Sequence, residues 1–178
     1  MAGRGSKRSG YTSGVTADER IQRIEQSVQR LIQEIERLPA DVLYREPQPG
    51  EWPVMSTLAH LQELLPYWAH QAEGVVNAPD QPFGRTHEDP QRLGAIEAHG
   101  HDSLDAIVPR LRASLAECVA TLRALPPDGW TRVGKSPTRG TMTVEQIVDS
   151  FLVRHAEEHA AQTQATLQAL SAARRSGT

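Results

Sequence analysis

Residues 151 to 162 read FLVRHAEEHAAQ, placing His155 and His159 four residues apart with Glu157 and Glu158 between them. On a helix that spacing stacks two imidazoles one above the other on the same face. Such a pair can converge on one metal ion, or it can remain a solvated or hydrogen-bonded pair. The residues just before it, Val148, Phe151 and Leu152, form an apolar stripe that the histidines continue, so both rings are expected to face inward. Two neutral imidazoles in an apolar interior need partners, and one ion satisfies both. The best candidate for a third donor is His60 in WPVMSTLAHLQELL, on the flank of another apolar stripe. Three histidines leave coordination positions open for water or substrate, as catalytic zinc sites do. Histidine-only sites suit zinc, nickel, copper or iron.

Other groups compete for roles around that site. Glu158 lies three residues after His155, where a carboxylate reaches the rim as a base; otherwise it and Glu157 face solvent. His101 and Glu97, four residues apart, are candidates for an orienting layer behind the ligands. The segment 126 to 142 carries Trp130, Arg132, Lys135 and Arg139, and Arg139 is a candidate contact for an acidic substrate. The string from His155 to His159 also fits H-x-x-E-H, a metallopeptidase pattern that needs a distant downstream Glu. Only 19 residues follow His159 and none is acidic, so that reading is set aside. Cys118, the single cysteine, excludes an internal disulfide and reads as a small buried hydrophobe rather than a nucleophile.

Four elements must position these groups. Thr16 to Glu19 matches a capping box, and Ile21, Ile24, Val28, Leu31, Ile32 and Ile35 then recur at helical spacing until Pro39. A second helix carries Val54, Leu58, Leu61, Leu65, Trp68 and Ala72, with Pro66 expected to kink or split it. A third is expected over roughly 90 to 124, with Leu93, Ile96, Ile107, Leu111 and Leu115 on its inner face and bends at Gly100 and Pro109. Residues 126 to 142 read as a long loop. Thr143 to Gln146, a second capping box, opens the last helix, expected to reach about Ala173. No segment makes a convincing strand. The fold class is therefore all-α, an up-down four-helix bundle over residues 16–173, with disordered tails at 1–15 and 174–178.

Composition agrees. A chain of 178 residues with 38% hydrophobic, 23% charged and 4% aromatic residues suits one domain with an aliphatic core. The net charge of −3 gives no global field for nucleic acid, so no nucleic-acid partner is expected. No apolar run is long enough for a membrane span, and MAGRGSKRSGYTSG lacks the apolar stretch of a secretory signal. A reducing cytoplasm is the expected location.

Two stretches together resemble the DinB/YfiT-like superfamily. GEWPVMSTLAHLQELL, residues 50 to 65, is similar to the family's stretch in which a Trp begins the second helix and a His eight residues later binds metal. TMTVEQIVDSFLVRHAEEHAAQ, residues 141 to 162, is similar to its final helix, where paired histidines complete the site and a Gln follows. Trp52, His60, His155, His159 and Gln162 match in order and spacing. The resemblance implies a bundle with zinc or nickel held by His60, His155 and His159, a small-molecule substrate, and often a homodimer. It also implies a thiol S-transferase or isomerase in some relatives, with a low-molecular-weight thiol as cosubstrate; an open metal site could instead generate hydroxide and act as a hydrolase, and non-catalytic metal binding is the alternative. Pro53 replaces the family's usual Ser or Thr cap, and Pro66 is unusual in the second helix. The chain lacks the further domain expected of a full-length mycothiol-dependent maleylpyruvate isomerase, so that specific activity is not supported.

Overall fold

Thr16 accepts from the Glu19 amide while the Glu19 carboxylate takes the Thr16 amide, and this reciprocal cap opens helix α1 (Ala17–Ile35). The computed structural model describes residues 14–79 and 81–176. Most of the expected first tail, residues 1–13, lies outside them. A short α2 (Ala40–Leu43) leads to α3 (Val54–Asn77), α4 (Pro90–His99) and α5 (Leu104–Ala124). A 3-10 turn (Pro127–Thr131) precedes strands β1 (Val133–Ser136) and β2 (Gly140–Thr143). The last helix is α6 (Val144–Val148), a π segment (Asp149–Val153) and α7 (Arg154–Ser176), running past the expected end at Ala173.

The periodic residues do what their spacing requires. Ile24, Val28, Leu31, Ile32 and Ile35 of α1 have no exposed surface, and Leu58, Leu61, Leu65 and Ala72 of α3 are equally buried. Burying a side chain of that size stabilises by about 1.5–3 kcal/mol each before chain entropy is counted. The four-helix core stands as expected, but its directions do not simply alternate. α1 packs against α5 and α7, and α3 against α5 and the last helix. Arg23 meets Glu157 and Gln164 meets Glu34, so α1 and α7 run parallel. Arg123 meets Glu25 and Arg112 meets Glu36, so α1 and α5 are antiparallel. His60 lies by His159 and Trp68 stacks on Phe151, so α3 and α7 are antiparallel. The order is up, down, down, up, which needs a crossover between the parallel helices α3 and α5.

Three expectations change here. The expected third helix is two: α4 is the crossover, contains no buried residue and leaves Leu93 47% exposed, and only α5 belongs to the core. Gly100 is the C-cap of α4, and its lack of a Cβ allows the close passage by α3, since a Cβ there would meet the Ile96 carbonyl oxygen at 2.7 Å and the Ser56 hydroxyl at 3.2 Å. Pro66 does not split α3, which stays helical from Val54 to Asn77. The long loop holds a hairpin, with Val133 opposite Thr143 and Ser136 opposite Gly140. Gly140, at φ 73°, turns the chain after Pro137 to Arg139. β1 does alternate in burial, but its inward residues are Gly134 and Ser136 while Val133 faces out, so no apolar alternation marks it in the sequence.

β1 lies against the end of α3, where a Cβ at Gly134 would stand 2.5 Å from a methyl of Val75 and 2.9 Å from the Phe83 ring. Gly134→Ala is therefore expected to lower unfolding free energy by about 1–3 kcal/mol in urea titration. Gly74→Ala, which meets nothing within 4 Å, is the control and should not destabilise. Equal effects of the two substitutions would reject this packing of the hairpin.

Candidate functional site

The π segment decides where the histidines point. Its wider turn sends the Arg154 amide to the Asp149 carbonyl, one residue further back than in an α-helix. Each later side chain is displaced around the axis by about one residue, roughly 100°. The buried stripe accordingly passes from Val148 and Leu152 to Val153, Ala156 and Thr163. His155 and His159 move off the core to its edge, where both are half-buried rather than fully inward. Phe151, one turn before His155, stacks on Trp68 of α3 at 3.9 Å.

The same segment fixes the His155 tautomer. The Arg154 amide would ordinarily bond the Ser150 carbonyl; instead that carbonyl faces Nδ1 of His155 at 3.1 Å. Nδ1 must then carry the proton, which leaves Nε2 with its lone pair. His159 is held likewise, Nδ1 donating to Oε1 of Gln162 at 3.1 Å, and its buried Nε2 has no partner. His60, 4% exposed on α3, meets the Trp52 ring edge to face, and its buried Nδ1 is also unpartnered. An unmatched buried polar atom costs about 1–3 kcal/mol, and two lie here together. Burial pushes the His60 imidazole down to about 3. Burial also holds His155 and His159 below their ordinary 6.5, and the Arg92 charge lowers all three. The rings are thus kept in the neutral form that binds metal.

Ring centres lie 5.2 Å apart for His60 and His159 and 5.9 Å apart for His155 and His159. Two imidazoles sharing one tetrahedral zinc have centres roughly 5 Å apart. Among the described residues no three His, Cys, Asp or Glu side chains already stand in a ligating arrangement. His60 and His159 are edge to face at 87°. The donor chemistry suits a divalent ion, but the rings as they stand are packed edge to face and do not form a ligating set.

The three histidines line a pocket of about 290 Å³ with Trp52, Trp68, Phe151 and Glu158. Arg139, from the hairpin turn, is also in its lining, its guanidinium 5.8 Å from the Phe151 ring. Glu158 is a rim residue, 62% exposed, with Arg154 at 3.7 Å, whereas Glu157 forms a bidentate pair with Arg23 on α1. His101 and Glu97 are exposed, outside the pocket lining, and do not back the three histidines. The cause is the break at Gly100, which puts both on the crossover side rather than on one long inner helix. His70 pairs with Glu117 on the far surface. Cys118 is fully buried and its thiol is pushed up to about 12, as an inert core residue should be.

The sequence reading missed the crossover's contribution. Gly84 turns at φ 91° against the Trp68 ring, its amide donating to Gln71. Phe83 donates from its amide to Lys135 of β1, and together these contacts bring Arg85, Thr86 and His87 to the pocket. Asp89 caps α4 by accepting from the Gln91 and Arg92 amides, and Pro90 occupies the first turn. That cap sets Arg92 over Trp52 at 5.5 Å. Only the cap left a trace in sequence, since Asp-Pro signals a helix start.

The fold has known counterparts. YfiT from Bacillus subtilis, described as a "probable metal-dependent hydrolase with an unusual four-helix bundle topology", superimposes with a TM-score of 0.76 over 93% of this chain and 94% of that one, at 18% identity. The mycothiol-dependent maleylpyruvate isomerase matches with a TM-score of 0.67 over 82% of this chain but 60% of that chain, at 14% identity. An uncharacterized protein from Clostridium difficile 630 matches at 0.66, over 86% and 96% of the two chains, at 10% identity. Likenesses at these identities show the fold alone. No curated protein matches the sequence. The family model of the DinB superfamily matches residues 23–163, which contain every histidine of the pocket, and the chain belongs to that superfamily.

Proposed function

We propose that His60, His155 and His159 hold a divalent metal ion, zinc or nickel, and that the protein uses it to hydrolyse a small molecule. The observation that carries this reading is the pair of buried, unpartnered nitrogens, Nδ1 of His60 and Nε2 of His159, in one pocket with His155. A divalent cation at such a site supplies Lewis acidity and makes a nucleophile available near neutral pH. The chain's own residues do the rest. Ser150 and Gln162 hold Nδ1–H of His155 and His159, so both present Nε2. Trp68 and Phe151, stacked face to face, form a dry wall. Glu158, at the rim, accepts the proton released by the attacking nucleophile. The YfiT description supports water as that nucleophile. The isomerase supports a second reading in which a low-molecular-weight thiol replaces it. A cytoplasmic homodimer belongs to the same proposal; among the described residues no helix is long and apolar enough to cross a membrane.

Zinc added to protein freed of metal with EDTA, at a hundred times its dissociation constant, should stabilise by about 2.7 kcal/mol. In a chain of this size that raises Tm by roughly 5–10 °C. His155→Ala and His159→Ala should lose the shift; an unchanged wild-type Tm would sink the metal reading. Turnover of small esters and amides should scale with metal content and drop at least tenfold in Glu158→Gln. Metal binding without turnover of these substrates, or of electrophiles offered with small thiols, would leave a non-catalytic metal protein.

The histidines also set a pH dependence for the metal-free protein. Their folded proton affinities are depressed, so above about 6.5 folded and unfolded chains are both neutral there and stability is undiminished. Below 6.5 the unfolded chain takes protons that the folded chain refuses, and stability falls, for His60 down to about 3. Urea midpoints measured from pH 7.5 to 5 should decline, less steeply in His60→Gln. A decline equally steep in that variant would show that His60 is not held neutral.

A further inference from the structure

The charges around the pocket do not balance. Arg85 is answered by Glu63 and Asp89, and Arg154 by Glu158. Arg92 and Arg139 line the same pocket, and among the described residues neither has a carboxylate within 4.0 Å. Arg92 donates to the His87 carbonyl at 3.0 Å, which orients the guanidinium but cannot neutralise it. Each stands over an aromatic ring of the pocket, Arg92 over Trp52 and Arg139 over Phe151. Among the described residues the only acidic one in the lining is Glu158, already facing Arg154. Two arginines reach this pocket from unrelated elements, the N-terminus of α4 and the hairpin turn, each placed by its own device. The Asp89 cap sets one; the other sits just before Gly140, where the backbone turns left-handed. A divalent ion on three neutral imidazoles would add still more positive charge, and an anion is what such a site lacks.

We infer that the pocket takes a small organic oxyanion, a carboxylate or phosphate monoester, with Arg92 and Arg139 binding its charged end and the aromatic wall its apolar body. The planar guanidinium fork suits either oxyanion. About 290 Å³ is at the small end for ligand sites, which limits the occupant to a compact molecule. This deepens the hydrolase reading, and rests on it only in taking the pocket as the substrate site.

The test is tryptophan fluorescence titration, since Trp52 and Trp68 line the pocket. The probes are benzoate, phenyl phosphate and the neutral isostere benzamide, against metal-free and zinc-loaded protein. Benzoate or phenyl phosphate should bind metal-free protein at least tenfold more tightly than benzamide, and the tighter of the two names the oxyanion. Arg92→Gln and Arg139→Gln should each narrow that ratio at least threefold, the double variant should abolish it, and Arg92→Lys should restore part of it. Arg112→Gln, on the opposite side of the bundle, should leave it unchanged, and thermal melts establish that each variant is folded. Equal affinity for charged and neutral probes, no binding of any probe, or a ratio that survives in the double variant would overturn the inference. His155→Ala separates the two ideas: it should lose zinc and keep the preference for the anion. An anion preference in a protein that never binds zinc would refute the metal reading alone.

Discussion

Parallel helices that are neighbours in sequence cannot be joined by a short turn, and this constraint organises the molecule. α3 ends at the opposite pole from where α5 must begin, so the chain spends residues 78 to 103 returning. A crossover of that length has to lie on something, and it lies on α3, beside the groove facing α7. The histidines line that groove, so the segment needed for topology becomes the outer wall of the pocket. Its polar composition follows: α4 buries nothing, so it is free to carry Arg92 and a capping Asp89 where a core helix would need leucines. β1 anchors the crossover through the Phe83 amide, and the hairpin that does so adds Arg139 to the same opening.

The second constraint is rotational. A regular helix from Val144 onward would have carried His155 and His159 into the aliphatic core, where neutral rings are buried but inaccessible. The π segment turns them outward to a pocket. Such a turn forfeits regular hydrogen bonding, and the structure offsets this by tying it to α1. Arg20, 6% exposed, makes a bidentate pair with Asp149, at 2.8 and 2.9 Å, and donates to the Val15 carbonyl. Hydrogen bonds to charged groups are each worth about 1.5–3 kcal/mol when one side is buried, less here because Asp149 remains 42% exposed. The next residue, Ser150, supplies the carbonyl that orients His155. The entry of α1 is thereby connected to the geometry of a ring on α7.

Much of this was legible in the residues themselves. The core stripes of α1 and α3, both capping boxes and the all-helical bundle followed from period and cap chemistry, because those signals are local. The gathering of His60 with His155 and His159 was legible through the Trp52-to-His60 stretch and its resemblance to a family. Helix direction was not, since an amphipathic stripe reads the same either way along the bundle. The π segment leaves no mark in DSFLV, which suits an α-helix equally well; only the hydrogen bond from Arg154 to Asp149 distinguishes them. Arg85 and Arg92 could not be assigned to the site because nothing periodic ties a crossover to the groove it covers. Leu93 and Ile96 were misleading for the same reason: apolar residues at helical spacing implied one long core helix, whereas α4 stops at His99 and a separate helix starts at Leu104.

Placing neutral imidazoles beside guanidinium groups has a consequence for both. Arg92 disfavours protonation of His60, His155 and His159, reinforcing burial. Protonated rings would repel a metal and, with Arg92 and Arg139, leave five like charges in one small space. Neutral rings leave the arginines as the dominant field in the pocket, so the same arrangement that keeps nitrogen lone pairs available also draws an anion toward them. Metal donors and anion contacts would interfere on a flat surface through competition for one ligand. Here the crossover supplies Arg92, the hairpin turn supplies Arg139, and α3 and α7 supply the histidines, with Trp52 in contact with both Arg92 and His60. The indole takes the cation over its face and meets the imidazole in a T-shaped contact. One ring thus contacts both the guanidinium and the neutral imidazole, and all three line the pocket that a small molecule would enter.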